Sequence, residues 1–163
     1  MAPGRGSFQT CPSKFALRSA YLTDVRVSLT APYIVARLAA TMIASPRLPL
    51  TRARAVSMLR SLRLGAGQIV FVHSSLSAMG RVEGGADTVV DGLLEVLGPE
   101  GTLVVPAFTP SHRSTGSIFD PATDASEVGQ ITEVVRNRPG AFRSRHLRES
   151  MAALGRVAEE MMR

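Results

Sequence analysis

The chain has 163 residues, 45% of them apolar, one cysteine at position 11 and a formal net charge of +6. That length fits one domain with its own core, and a lone cysteine excludes both an internal disulfide and a cysteine zinc cluster. The positive charge does not mark a nucleic-acid binder, because residues 1–50 carry six basic and one acidic residue whereas 51–163 carry thirteen and twelve, a nearly balanced solvated surface.

Residues 1–49 hold scattered arginines, Pro3, Pro12, Pro32, Pro46 and Pro49, and little periodicity. They read as a disordered or loosely docked extension with one short helix over residues 33–43, and an upstream mis-assigned start would have the same character. The apolar stretch 31–44 is interrupted by Pro32 and Arg37 and falls short of the roughly 18 to 20 apolar residues of a bilayer crossing. It also begins too late, behind an arginine-containing leader, for a secretory signal. A reducing cytoplasm is the expected location.

From Leu50 the pattern sharpens. Thr51 caps a helix whose Ala55, Val56, Leu59 and Leu62 recur at helical spacing, with Gly65 where a left-handed C-cap belongs. Residues 68–73 are a short β-branched and aromatic run, read as a buried strand. A second helix over 86–97 sets Val89, Val90, Leu93, Leu94 and Leu97 on one face and Asp87, Asp91 and Glu95 on the other, and Gly98-Pro99-Glu100-Gly101 ends it. Residues 102–107 form another apolar strand. Strand, helix and strand over this distance make a βαβ unit with parallel strands, a right-handed crossover and a ligand edge at the C-terminal strand ends.

Residues 108–125 read as a long loop containing Pro110, Gly116 and Pro121. Asp124 and Glu127 then suit a capping box for a helix bearing Val128, Ile131, Val134 and Val135, closed by residues 137–140. A third strand is expected over 151–154 and a final helical turn or two over 157–162.

The run Val70-Phe71-Val72-His73-Ser74-Ser75-Leu76, followed by Gly80-Arg81-Val82-Glu83-Gly84-Gly85-Ala86, carries the most chemical information. A buried strand stops in hydroxyl groups, and a glycine-rich turn then opens a helix whose N–H groups suit a phosphorylated ligand. The glycines do not complete a G-x-G-x-x-G fingerprint, so a plain tight connection stays open as the alternative. A helix mouth contributes about 0.3 to 1 kcal/mol per interacting charge, enough to orient a pyrophosphate but not to bind it alone.

His73 closes the strand as a base or, by preference, as a ring bonding a neighbouring carbonyl, and Ser74 and Ser75 also read as cap or turn hydroxyls. His112 reads as a surface residue. Arg143, Arg145, His146 and Arg148, with Arg136 and Arg138 nearby, suit phosphate, but without an aromatic platform a solvated edge is favoured over nucleic-acid binding. No G-x-S-x-G nucleophile elbow is present.

Several ordered motifs together resemble the aminoglycoside 3-N-acetyltransferase family from about Leu50 to Gly155. They are Leu64-Gly65 with Gly67, Val72 through Ser77, Gly80 with Val82 and Gly84-Gly85-Ala86, Leu97 through Leu103, Phe119-Asp120-Pro121, Gly129 with Glu133 and Arg136, and Pro139-Gly140 through Ser150. The resemblance implies an α/β fold, a three-layer α/β/α arrangement with a central, largely parallel sheet. Residues 50–163 would be the N-terminal part of the family domain, truncated at the C-terminus, and residues 1–49 a non-family, disordered extension. One departure stands out: His146-Leu147 occupies the place of the family's His-Pro.

By the same resemblance the cosubstrate is acetyl-CoA, no metal is needed, and Ser74, Ser75, Leu76, Gly80, Val82, Gly84 and Gly85 are the cofactor contacts. The acceptor is a small-molecule amine, an aminoglycoside in antibiotic resistance or an amino sugar, and the short 108–118 connection makes a biosynthetic acceptor credible. Neither nucleic acid nor membrane is an expected partner. The family's catalytic histidine, a general base, and its glutamate lie in a later H-x-x-E segment, so no catalytic residue is assigned and little or no transferase activity is expected of this chain. Two rivals stand beside this reading. One is a non-catalytic CoA- or nucleotide-binding α/β module; the other is a remnant that aggregates or dimerises through uncovered apolar faces such as that of Val128, Ile131 and Val135.

Overall fold

The structure, a computed structural model, describes residues 48–111, 116 and 118–163 in full and residues 24–28 and 34–39 as strand backbone. In chain order the elements are β1 (Asp24–Ser28), β2 (Ile34–Ala39), α1 (Arg52–Ser61), β3 (Ile69–Ser74), α2 (Gly85–Leu97) and β4 (Thr102–Pro106). Then follow α3 (Gln130–Arg136), β5 (Ala141–Arg143), β6 (Met151–Gly155) and α4 (Ala158–Met162). The helix expected over residues 33–43 gives way to β2, and the expectation of disorder does not hold for β1 and β2. The rest of residues 1–47 lies outside the described residues.

Six strands make one sheet in the order β1-β2-β3-β4-β6-β5. The pairs β2–β3 and β3–β4 are parallel, as the βαβ pattern requires, with Ile69 opposite Thr102 and Phe71 opposite Val104. The other three pairs are antiparallel, so the sheet is mixed and not largely parallel. The reason is chain length. After α3 the chain returns as β5 in the direction of β4, and residues 144–150 between β5 and β6 are too few for a parallel crossover. β6 therefore turns back and inserts antiparallel between them.

Alternation along the central strands sends side chains to two apolar layers. Val70, Val72, Leu103 and Val105 join Val90, Leu93 and Leu97 of α2 and Ile131 and Val135 of α3 in the main core. On the other face Val104 and Ala153 meet Ala158 and Met162 of α4. β4 is buried at every position, which suits its central place. Full burial of a leucine such as Leu93 contributes about 1.5 to 3 kcal/mol. Ile131 and Val135 are only 3% and 0% exposed, packed against α2 and β6, so the apolar face expected to lie open is covered. Val128 precedes the helix and is half-buried.

Caps follow the sequence in part. Thr51 accepts from the Arg54 N–H at 3.3 Å and starts α1. The left-handed residue beyond α1 is Arg63, at φ 64°, and not Gly65; the Gly65 N–H instead donates to the Gln68 side chain at 2.9 Å. Asp124 and Glu127 do not form the expected capping box. Glu133 reaches back to the Ser126 N–H at 2.6 Å, and the Glu127 carboxylate turns away to Ser111. Among the described residues no helix is long and apolar enough to cross a membrane.

Candidate functional site

β3 ends at Ser74, and the chain turns through Ser75, whose hydroxyl lies 3.1 Å from that of Ser77, into one 3-10 turn, Ser77–Met79. Met79 anchors this turn by burial at 4% exposure. Gly80 then reverses the chain at φ 74°, ψ −146°, a conformation open only to glycine. Val82 next bridges Leu50, which donates to the Arg81 carbonyl at 2.8 Å and accepts from the Glu83 N–H at 3.0 Å. Gly84 (φ 74°, ψ 7°) opens α2, and Thr88 one turn later donates its hydroxyl to the Glu83 carbonyl at 2.5 Å. The glycine turn is thus pinned at both ends.

This turn forms one side of two adjoining clefts. In the first, about 560 Å³, Ser74, Ser75, Leu76 and Gly80 face Val128 through Thr132. In the second, about 630 Å³, Gly84, Gly85 and Asp87 face Ser126, Glu127 and Glu133. Gly129 and Gln130 line both. The structure therefore gathers Ser74, Ser75, Leu76 and Gly80 in one cleft and Gly84 and Gly85 in its neighbour. Val82 lines neither and packs against the core.

The two clefts differ in chemistry. Serine and threonine hydroxyls and main chain share the lining of the first with the apolar Leu76, Val128 and Ile131, and no charged residue is among them. Around the second stand Asp87, Glu127 and Glu133. Arg138 sits 2.8 Å from both Asp87 and Asp91, so the acidic residue in the first turn of α2 already complements the helix dipole. Gly80, Gly85 and Gly129 have open space where a Cβ would stand, which lets a ligand approach the main chain closely.

The far wall depends on two arginines that sequence reading assigned to a solvated edge. Arg136 binds Glu133 with both ends of its fork, at 2.9 Å each, and donates to the Ala122 carbonyl at 3.3 Å. That fork holds the Glu133 carboxyl below its ordinary value, with the Ser126 N–H adding to the effect, while Glu133 raises Arg136. Arg143 donates to the carbonyls of Ala107 and Asp124 and to the Ser150 hydroxyl, and lies 4.9 Å from the centre of the Phe119 ring. Burial, with Arg136 nearby, lowers its affinity for a proton.

Ser150, fully buried, donates to the Ala107 carbonyl at 2.6 Å and so ties the end of β4 to β6. Asp120 organises the turn before the wall by accepting from Ala122 and Thr123, bonds that hold its carboxyl below the ordinary range. The Asp-Pro start of this turn is a readable signal; the carbonyl partners of Arg136 and Arg143, 14 to 36 positions away, are not.

Outside the clefts, His73 stacks edge-on against Phe71 with ring centres 4.7 Å apart, a packing contact in place of the carbonyl bond. His146 accepts from the Glu149 N–H at 2.9 Å, a turn bond. Arg145 and Arg148 are exposed, as a solvated edge requires. His112 lies outside the described residues. Among the described residues no group of three metal-ligating side chains converges.

A profile of the family described as aminoglycoside 3-N-acetyltransferase matches residues 71–163. Aminoglycoside N(3)-acetyltransferase VIII of Streptomyces fradiae is 35% identical over 132 residues, covering 70% of this chain and 46% of that protein. Among solved structures, aminoglycoside acetyltransferase AAC(3)-Xa superposes with a TM-score of 0.66 at 39% identity, over 72% of this chain and 47% of that one. A binary complex of AAC-IIIb with CoASH superposes at 0.63 with 29% identity, over 71% and 49%. The chain spans about half the length of the relatives it matches. With its mixed α/β sheet and more than half of its residues under that profile, the chain belongs to the aminoglycoside 3-N-acetyltransferase family.

Proposed function

We propose that this chain supplies the acetyl-CoA side of an N-acetyltransferase acting in the cytoplasm, which moves an acetyl group from acetyl-CoA to an amine of an aminoglycoside or amino sugar. The observation that carries the reading is the first cleft. A hydroxyl-rich strand end, Ser74 to Gly80, stands opposite Gly129 to Thr132 in a chain that matches proteins named for this activity. Support for the cosubstrate comes from the AAC-IIIb relative, whose complex holds CoASH.

When bound, acetyl-CoA supplies the activated acetyl thioester. The chain's own residues bind and orient it: Ser74, Ser75 and Leu76 offer hydroxyls and main-chain groups, and Gly80 leaves its main chain open to approach. Gly84 and Gly85 open α2, whose first N–H groups have no intrahelical acceptor. Val82 shapes the turn through its bridge to Leu50 and not through its side chain. Of the three carboxylates around the second cleft, Asp87 and Glu133 are each matched by an arginine and Glu127 is bonded by Ser111. No general base is assigned among these residues. We place the family portion at residues 50–163 in a three-layer α/β/α arrangement, with residues 1–49 a non-family lead.

Calorimetric titration with coenzyme A tests the assignment. Ser75 is exposed at the cleft, so Ser75→Trp fills the cleft without entering the core. Binding to the wild type and at least a tenfold loss in the variant, about 1.4 kcal/mol, are expected. Equal affinity in the two proteins refutes the first cleft as the site.

A further inference from the structure

Residues 126–130 belong to no strand and face the glycine turn across the two clefts, with Gly129 and Gln130 lining both, and their main chain is held near β4 by one bond, from the Glu127 N–H to the Phe108 carbonyl at 2.9 Å. Glu133 supplies the side-chain hold one residue earlier: one carboxylate oxygen accepts from the Ser126 N–H at 2.6 Å while Arg136 grips both oxygens at 2.9 Å. The Arg136 side chain is 10% exposed, and its remaining nitrogen holds the Ala122 carbonyl at 3.3 Å, so the pair is fixed at both ends of the segment 122–126. The Ser126 hydroxyl then accepts from the Val128 N–H at 3.3 Å and carries the constraint toward Gly129. Gly129, at φ 128°, has no side chain with which to anchor itself.

We propose that Glu133 is a positioning residue for coenzyme A: by accepting from the Ser126 N–H while clamped by Arg136, it holds the Ser126–Gly129 wall at the width the carrier requires. This rests on the acetyl-CoA reading above. The same carboxylate also faces the second cleft, so it acts on the ligand through the wall and makes no bond to reacting atoms. A residue that only stabilises the fold lowers the melting temperature and leaves the affinity of folded protein unchanged. A positioning residue changes the affinity of folded protein.

The experiment compares wild type, Glu133→Ala and Glu133→Gln by hydrogen exchange and by calorimetric titration with coenzyme A, with Arg156→Ala, an exposed ion pair to Glu100, as control. Glu133→Ala is expected to speed exchange of the 126–129 amides about tenfold or more while β4 amides hold, and to weaken coenzyme A at least tenfold. Glu133→Gln keeps an acceptor oxygen, so both readouts are expected within about threefold of wild type.

Unchanged exchange at 126–129 in Glu133→Ala overturns the inference, and so does faster exchange with wild-type affinity. Should Glu133→Ala not fold, a tenfold loss in Glu133→Gln overturns it and near-wild-type values uphold it. A wild type that takes no coenzyme A refutes the functional reading instead, and the exchange comparison still decides whether Glu133 pins the wall.

Discussion

Gly84 is where backbone geometry and side-chain packing meet at the mouth of α2, and replacing it with alanine separates the two. At φ 74°, ψ 7° a Cβ adds about 1 to 2 kcal/mol of left-handed strain. That Cβ would also stand 2.6 Å from the Thr88 hydroxyl oxygen, so Thr88 must rotate and release the Glu83 carbonyl, a further loss of about 1 kcal/mol. Gly84→Ala is thus expected to destabilise by about 2 to 3 kcal/mol. Gly85→Ala, at φ 64° with nothing within 4 Å, should show the strain alone. In a Thr88→Ala background the hydroxyl is gone, and Gly84→Ala should fall to the Gly85→Ala value. Urea unfolding of the single and double variants reads the coupling, expected at about 1 kcal/mol. Additivity within about 0.5 kcal/mol would refute the argument that Thr88 dictates glycine here.

Leu93→Ala, at a fully buried site under β3 and β4, should lower stability by about 2 to 5 kcal/mol in chemical denaturation. Ser150→Ala removes the hydroxyl that bonds Ala107 and Arg143 and should lower it by about 1 to 3 kcal/mol, with faster exchange at the end of β4. The Glu133 carboxyl sits below its ordinary value of 4.5 because Arg136 and the Ser126 N–H favour its charged form. Its contribution to stability is therefore complete above that ordinary value and is lost as pH falls through the lowered folded value. The drop in urea midpoint between about pH 5 and about pH 3 should shrink in Arg136→Met, and an identical drop would remove the pair from the account.

Much of this fold was legible because its signals are local. The 3.6-residue recurrence of Ala55, Val56 and Leu59 and of Val89, Val90 and Leu93, and the β-branched runs of β3 and β4, pointed to the βαβ unit directly. Direction in the sheet was not legible: whether β6 joins β4 parallel or antiparallel depends on β5, whose three residues carry no period to read. The strand at Ile34–Ala39 stands where the sequence predicts a helix, because a short apolar run supports either periodicity. In the site, serines and glycines next to one another in sequence announced one side of the clefts. On the opposite side Gly129, Glu133 and Arg136 stand out in the sequence only as a family motif, and the carbonyls that Arg136 and Arg143 hold are not legible, because a charge in a sequence does not show whether it faces water or a carbonyl.

The bridge between Leu50 and Val82 has a practical consequence for handling the protein. Leu50 is one of the tethers that hold the glycine turn, although it stands some thirty positions upstream of it. A protease nick between Leu50 and Thr51 would cut that tether and slacken the turn, whereas cleavage ahead of residue 48 would leave Leu50 joined to α1. Limited digestion followed by spectroscopy of a reporter dye on the turn would register the difference.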